Sequence, residues 1–300
     1  MISRMLKPSS RVIAVGDRHQ AIYAFRGASS DAMPLLQKEF GCKPLPLSIS
    51  YRCPKAVVKK AQTWVEHIEF AETAPDGLVV EYPEKWSLSD FRPEDSILCR
   101  LTRPLVEVAF MLIRERIPCR VLGRDIGAGL LALVKKSRIV PESLLSDFEA
   151  WLDSYHEREA KKLSEREETA KLGLLNDKVE TLRVFVDDLP PASTVFDLQK
   201  SIEALFSDND KGKLTLSTVH KSKGLEYPRV FILDAHELMP CPWATRPGDL
   251  QQEKNLMYVA CTRAQKELYY VTSELLMGGR LKRPEAKRTG DEEINFPVGF

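Results

Sequence analysis

Six short runs rich in β-branched and other apolar residues, at 78–82, 97–100, 120–123, 214–219, 230–234 and 268–272, recur along the chain with helical patterns between several of them. This alternation narrows the fold further than any other feature. Consecutive parallel strands need long crossovers, and helices fill them, so the pattern predicts an α/β fold with a largely parallel sheet. Among the helical patterns, Leu105, Val108, Ala109 and Leu112 follow Pro104, and Leu256, Val259 and Ala260 precede the last run. Pro54 opens another, with Val57, Val58, Ala61, Trp64, Val65 and Ile68 on one face and Lys59, Lys60 and Glu66 opposite, as expected of a helix packed on a sheet. A further β-rich run at 11–15 stops at Gly16-Asp17, the kind of strand end where α/β proteins hold ligands, and a helix is expected from 30 to 40.

The stretch 140–207 differs, because it reads as helices only, and its charge-dense run 155–169 fits a solvated helix face. A helical insert is expected at 139–207, and a loosely ordered tail over the polar, Gly- and Pro-punctuated residues 279–300. Lys and Arg number 44 against 43 Asp and Glu, so a net charge of +1 gives no bulk attraction to a polyanion and any nucleic-acid contact must be local. Six cysteines without a CxxC pair or ligand spacing to the five histidines read as reduced thiols, with no zinc site. No apolar run approaches the roughly 18 residues that span a bilayer, so no membrane partner is expected, and a cytoplasmic location is.

Four segments carry chemistry. In the loop from Gly16 to Ala28, Gln20 offers a donor and an acceptor for a phosphate oxygen or an attacking water, while Tyr23 and Phe25 offer ring faces and Arg26 a fork for phosphate. Arg52 is delivered by a strand-like run just ahead of the Pro54 helix, where helix-end amides and a guanidinium together would attract an anion. The strand at 214–219 runs into a turn holding Thr218, His220, Lys221, Ser222, Lys223, Gly224 and Glu226. Hydroxyls and cations of this kind suit a sugar-phosphate backbone, Gly224 permits close approach, and Glu226 can accept from a ribose hydroxyl. Finally, 252–264 reads as an amphipathic helix with Arg263 near its end, a fixed charge expected to point outward into another domain's nucleotide site.

Taken in this order, the blocks GDxxQxIYxFRGA, SYRCP, TVHKSKGLE and YVACTRA resemble motifs III to VI of superfamily 1 DNA helicases of the UvrD/Rep/PcrA type, over roughly 11–135 and 210–275. The resemblance implies a RecA-like, P-loop NTPase-type parallel sheet: residues 1–43 as the end of a first RecA-like domain, and 44–138 with 208–278 as a second one split by the insert. It implies that Gln20 senses the γ-phosphate, that Arg52 and Arg263 contact the triphosphate, and that Gly224 and Glu226 lie by the nucleotide. Tyr23, Phe25, Arg26, Thr218, His220, Lys221 and Ser222 would lie near single-stranded DNA or a single/double-strand junction. Phe25 stands where relatives commonly carry Trp, Ser50 where they carry Asn, and Lys254 or Asn255 where they carry Arg.

No GxxxxGK[ST] occurs in the sequence and no acidic DExx run precedes Arg11, although this machinery cradles ATP and Mg²⁺ in the family. Both are therefore expected to be held mainly by an N-terminal helicase half, and this chain alone is not expected to hydrolyse ATP. The resemblance suggests 3′ to 5′ unwinding. Two alternatives stand beside it: a non-catalytic module that binds single-stranded DNA or regulates, and a fragment of an AddA/RecB-like helicase-nuclease.

Overall fold

A computed structural model describes residues 7, 10–23, 29, 31–83, 86, 88–207 and 214–276. The tail expected at 279–300 lies outside the described residues. Strands β1 (Ile49–Ser50) and β2 (Glu69–Phe70) form a small parallel pair around helix α2 (Lys55–Ala61). Helix α1 (Ala32–Phe40) precedes them, ended by Gly41 at φ 61°.

The other six strands form one parallel sheet: β3 (Leu78–Glu81), β4 (Ser96–Cys99), β5 (Cys119–Leu122), β6 (Leu214–Thr218), β7 (Tyr227–Leu233) and β8 (Ala264–Val271). Their spatial order is β3-β8-β7-β4-β6-β5, and every neighbouring pair is parallel. The six apolar runs in the sequence correspond one to one with these strands. Helices α3 (Thr102–Arg114) and α4 (Arg124–Lys136) follow β4 and β5. Three further helices, α5 (Leu145–Glu165), α6 (Thr169–Asp188) and α7 (Val195–Leu205), fill the region expected to be all helical. The single-turn α8 (Val219–Ser222) follows β6 and α9 (Ala235–Leu238) follows β7; α10 (Pro247–Cys261) and α11 (Ser273–Leu276) flank β8.

Successive strand side chains point to opposite faces, and the cores divide accordingly. Ile97, Phe231, Leu233, Tyr269 and Val271 face a core shared with α3, α4 and α5 to α7. Leu98, Val230, Ile232, Leu268 and Tyr270 face a second core with α2 and α10. Both faces are covered, which is why the strands read as continuous apolar runs rather than as strict alternation. Asp177 of α6 ties its bundle to the sheet, accepting from the Thr102 and Arg103 amides at 3.0 and 3.1 Å and so capping α3.

Three local expectations differ. Residues 11–15 form no strand: Ile13 and Val15 are 88% and 89% exposed, and no described segment pairs with them. Helix α2 stops at Ala61, and Val65 and Ile68 reach the same core from the turns that follow, so the apolar period outlasts the helix. Its first amides, of Lys55 and Ala56, donate to Pro75 O and Asp76 O at 2.9 Å, so they are not open to the anion expected beside Arg52. The third difference is α10, whose polar residues Glu253 and Asn255 are buried, so it is not amphipathic in the expected sense.

Candidate nucleotide and nucleic-acid site

Arg263 and Glu226 stand immediately before β8 and β7, which begin side by side with Tyr227 opposite Ala264. The pairing brings the two side chains to one place, at the starts of the strands rather than at their carboxyl ends. Arg52, at the foot of α2, completes the group: its Nε lies 2.5 Å from Glu226 Oε2, with both side chains near 40% exposed. The other Glu226 oxygen accepts from Gln265 Nε2 at 2.8 Å.

Arg263 does not point outward as expected. It is 1% exposed, and its Nε, Nη1 and Nη2 donate to Val259 O, Leu225 O and Thr262 Oγ1 at 2.9, 3.0 and 3.1 Å. A guanidinium has five N–H donors, so two are not used in these bonds. The physical reason for its burial is that the Val259 carbonyl of α10, the Leu225 carbonyl ahead of β7 and the Thr262 hydroxyl together satisfy an otherwise prohibitive charge. Burial pulls the Arg263 pKa down, and the nearby Arg52 cation adds to that pull. Two cations thus lie within electrostatic reach of each other, with the Glu226 carboxylate paired to Arg52, an arrangement that can draw an anion to Arg52.

The turn carrying Gln20 docks on the same helix. Asn255 of α10 donates to Arg18 O at 3.2 Å and Ala21 O at 3.1 Å, and Ile22 is buried in the adjoining core. Gln20 donates to Asp17 Oδ2 at 2.8 Å, and its carbonyl accepts from Lys223 Nζ at 2.7 Å. Tyr258 lies between this turn and the arginines: burial pushes its hydroxyl up to about 12, with Asp17 the next contributor and Arg263 opposing. Gln20, Arg52, Glu226 and Arg263 therefore gather around the last turns of α10. Gly224 adjoins them at φ 91°, a backbone that favours glycine, with open space where a Cβ would sit.

The remaining positions separate into two kinds. The Tyr23 hydroxyl donates to His220 O at 2.5 Å, and Lys223 sits over the Tyr23 ring at 5.6 Å. Lys221 reaches Asp125 at 2.6 Å. These groups lie at the far end of the crossover, where β6 ends. Thr218 and Ser222, by contrast, are internal: Thr218 Oγ1 accepts from the Lys221 amide at 3.4 Å as the cap of α8, and Ser222 donates to Val219 O at 2.9 Å. Ser222, 0% exposed, is spent on α8 and does not reach a nucleic-acid backbone as expected; Thr218, 7% exposed, uses its oxygen as the α8 cap. Phe25 and Arg26 lie outside the described residues.

Sequence reasoning missed Gln265, Asn255 and Tyr51. Gln265 follows Arg263 by two residues, the spacing that returns a strand side chain to the same side. Tyr51, beside Arg52, is 83% exposed and offers an uncovered ring face at the edge of the cluster. Asn255 was visible only as a departure from the arginine of the family pattern.

Residues 134–274 match the family model described as the UvrD-like helicase C-terminal domain, and residues 1–41 that of the UvrD/REP helicase N-terminal domain. The F-box DNA helicase protein 1 of Schizosaccharomyces pombe is 28% identical over 280 residues, covering 86% of this chain and 30% of that protein. The ATP-dependent DNA helicase Rep of Escherichia coli is 36% identical over 97 residues, 32% of this chain and 14% of Rep. PcrA of Bacillus subtilis is 31% identical over 112 residues, 36% of this chain and 15% of PcrA. The chain thus spans less than a third of the length of these relatives. The solved C-terminal domain of a possible DNA helicase from Lactobacillus matches over 76% of this chain and 90% of that domain at 12% identity, with a TM-score of 0.24.

Proposed function

We propose that this chain, which is similar to the C-terminal portion of the UvrD-like superfamily 1 DNA helicases, forms the second RecA-like half of an ATP-driven single-stranded-DNA translocase. Its task is to complete a nucleotide site whose phosphate cradle lies in the N-terminal half. The observation that carries this is the gathering of Arg52, Glu226 and Arg263 at the starts of β7 and β8, with the Gln20 turn pinned to the helix that ends beside Arg263.

ATP and Mg²⁺, when bound by the complete motor, supply the phosphoryl transfer that drives its cycle. Arg52 fits the phosphate end of such a ligand, because its side chain is 40% exposed beside an exposed carboxylate; Arg263 keeps two N–H donors beyond its three bonds, but they are buried until the residues over them move. Among the described residues no three His, Cys, Asp or Glu side chains group as metal ligands. Arg52, paired with the exposed Glu226, can swing to an anion; Arg263, 1% exposed, contributes its charge from behind the residues that cover it and meets a ligand only when they shift. Gln20 is held by Asp17 with its amide oxygen left to accept.

His220, Lys221 and Tyr23 contact the single strand in this reading, and Phe25 and Arg26 extend that contact. Residues 219–226 join the end of β6 to the start of β7 through a single helical turn. Parallel strands usually need about a dozen residues or more for such a crossover. So short a link has little slack, and a displacement at the phosphate end is passed to the DNA end. Translocation 3′ to 5′ accords with the family.

The test combines the chain with a polypeptide carrying the UvrD/Rep-type N-terminal part and measures single-stranded-DNA-stimulated ATPase. Stimulated hydrolysis that neither polypeptide shows alone supports the proposal. DNA binding without any gain in hydrolysis overturns it in favour of a non-catalytic DNA-binding module.

A further inference from the structure

Helices α4 and α6 flank a groove that neither fills. On α4, Gly129, Ala132, Leu133 and Lys136 fall at i, i+3, i+4 and i+7; on α6, Lys171, Leu174, Leu175 and Lys178 repeat the same spacing. Two helices that turn such stripes toward each other normally interdigitate. Here the α4 stripe begins with two small residues, and an added Cβ at Gly129 would meet only Lys178 Nζ, at 3.9 Å. The result is a cleft of about 380 Å³ with Tyr155 of α5 among its lining residues. Leu174 is left 47% exposed beside it.

The chemistry of the cleft is lopsided. Its walls are leucine and its rim is lysine, and no carboxylate lines it. Lys136 donates to the Tyr155 hydroxyl at 3.2 Å and sits 4.7 Å from the centre of that ring, while Arg158 covers the same ring at 5.7 Å. Lys171 is paired with Glu168 at 2.8 Å outside the cleft. An occupant therefore has to bring apolar side chains for the walls and acidic groups for the rim.

One segment of the chain has that composition: Asp291, Glu292 and Glu293 followed by Ile294 and Phe296. We infer that residues 291–296 dock in the groove between α4 and α6, the three carboxylates against Lys136, Lys171 and Lys178, and Ile294 and Phe296 against Leu133, Leu174 and Leu175. Reach permits it. Leu276 is anchored in the core where α11 meets α3, and α3 packs on α6. Those are two helix-to-helix steps of roughly 8–10 Å each, whereas the 15 residues from 276 to 291 can span up to about 50 Å. The basic residues Arg280, Lys282, Arg283, Lys287 and Arg288 fall in the intervening stretch, where the lysine rim repels them. Docking would clamp the helical region to the end of the sheet, independently of what the nucleotide site does.

The test is carbodiimide coupling of the full chain, read by mass spectrometry, with mixed ¹⁴N and ¹⁵N protein to separate links within one chain from links between chains. Amide links from Asp291, Glu292 or Glu293 to Lys136, Lys171 or Lys178 within one chain are expected. Phe296→Asp should cut their yield about tenfold by removing one buried ring. Links scattered over lysines remote from the groove, links only between chains, or a yield indifferent to Phe296→Asp would each overturn the inference.

Discussion

Glu253 is the most informative single position to perturb, because it sits on the helix that carries both Asn255 and the approach to Arg263. Its carboxylate accepts from Arg100 Nε at 3.0 and 3.1 Å, from Arg100 Nη2 at 2.8 Å and from the Cys241 amide at 3.1 Å. The two side chains are only 12% and 5% exposed. Burial by itself pulls the Arg100 pKa down, but the hydrogen bonds and charge of Glu253 pull harder and the net shift is upward. For Arg100 the partner therefore outweighs burial. Glu253→Ala strands the Arg100 cation between Trp243, 5.8 Å from its guanidinium carbon, and Cys241. Stranding one partner of a buried pair costs about 3–5 kcal/mol. Urea denaturation followed by tryptophan fluorescence should show a loss of that size. The double variant Arg100→Met with Glu253→Met should lose less than either single change, because only the Cys241 amide is orphaned, at about 1–3 kcal/mol. A loss under about 1 kcal/mol for Glu253→Ala, or a double variant equal to the sum of the singles, would refute the reasoning.

Three further outcomes follow from the packing and the charges. At Gly173 an added Cβ would lie 2.5 Å from Trp243, so Gly173→Ala should destabilise by about 1–3 kcal/mol in thermal melts despite alanine's better helix propensity; a stabilised variant would show that Trp243 moves aside freely. Asp234 is raised above 3.8 by burial, so its charged form is a liability that appears as pH rises through the raised value and vanishes below 3.8. Asparagine tolerates its φ of 51° and still accepts from the Ser273 amide, so Asp234→Asn should be more stable than the parent at pH 7, the gap closing below 3.8; the reverse order at pH 7 would count against this. Ile13→Lys and Val15→Lys should leave folding stability within about 0.5 kcal/mol, given their exposure, yet weaken ATPase reconstituted with an N-terminal part; full reconstituted activity would deny these residues a place in that interface.

What the sequence disclosed depended on the range of the interaction. The six sheet strands were legible because a sheet covered on both faces writes each strand as a local apolar run. Their order was not, since β8 inserts between β3 and β7 through pairings of residues nearly 190 positions apart. Arg52, Glu226 and Arg263 were legible as residue types in motif positions. The burial of Arg263 was not, because it depends on the carbonyls of Val259 and Leu225 arriving together. The burial of Ser222 was hidden for a related reason: a hydroxyl that bonds a local turn looks identical in sequence to one offered to a ligand. Residues 11–15 carry strand composition without strand pairing, since composition specifies a preference and a sheet requires a neighbour.

The convergence of two arginines on a nucleotide is tested most directly at Arg52, which is exposed enough to be replaced without disturbing the fold, whereas Arg263 is part of the core. With the motor reconstituted from its N-terminal part, kcat for single-stranded-DNA-stimulated ATP hydrolysis should fall by about 10³-fold or more in Arg52→Ala, the scale of a lost arginine finger. The urea midpoint and the affinity for single-stranded DNA should stay unchanged. Unaltered kcat in Arg52→Ala, at intact stability and DNA affinity, would contradict the placement of this cluster at the nucleotide.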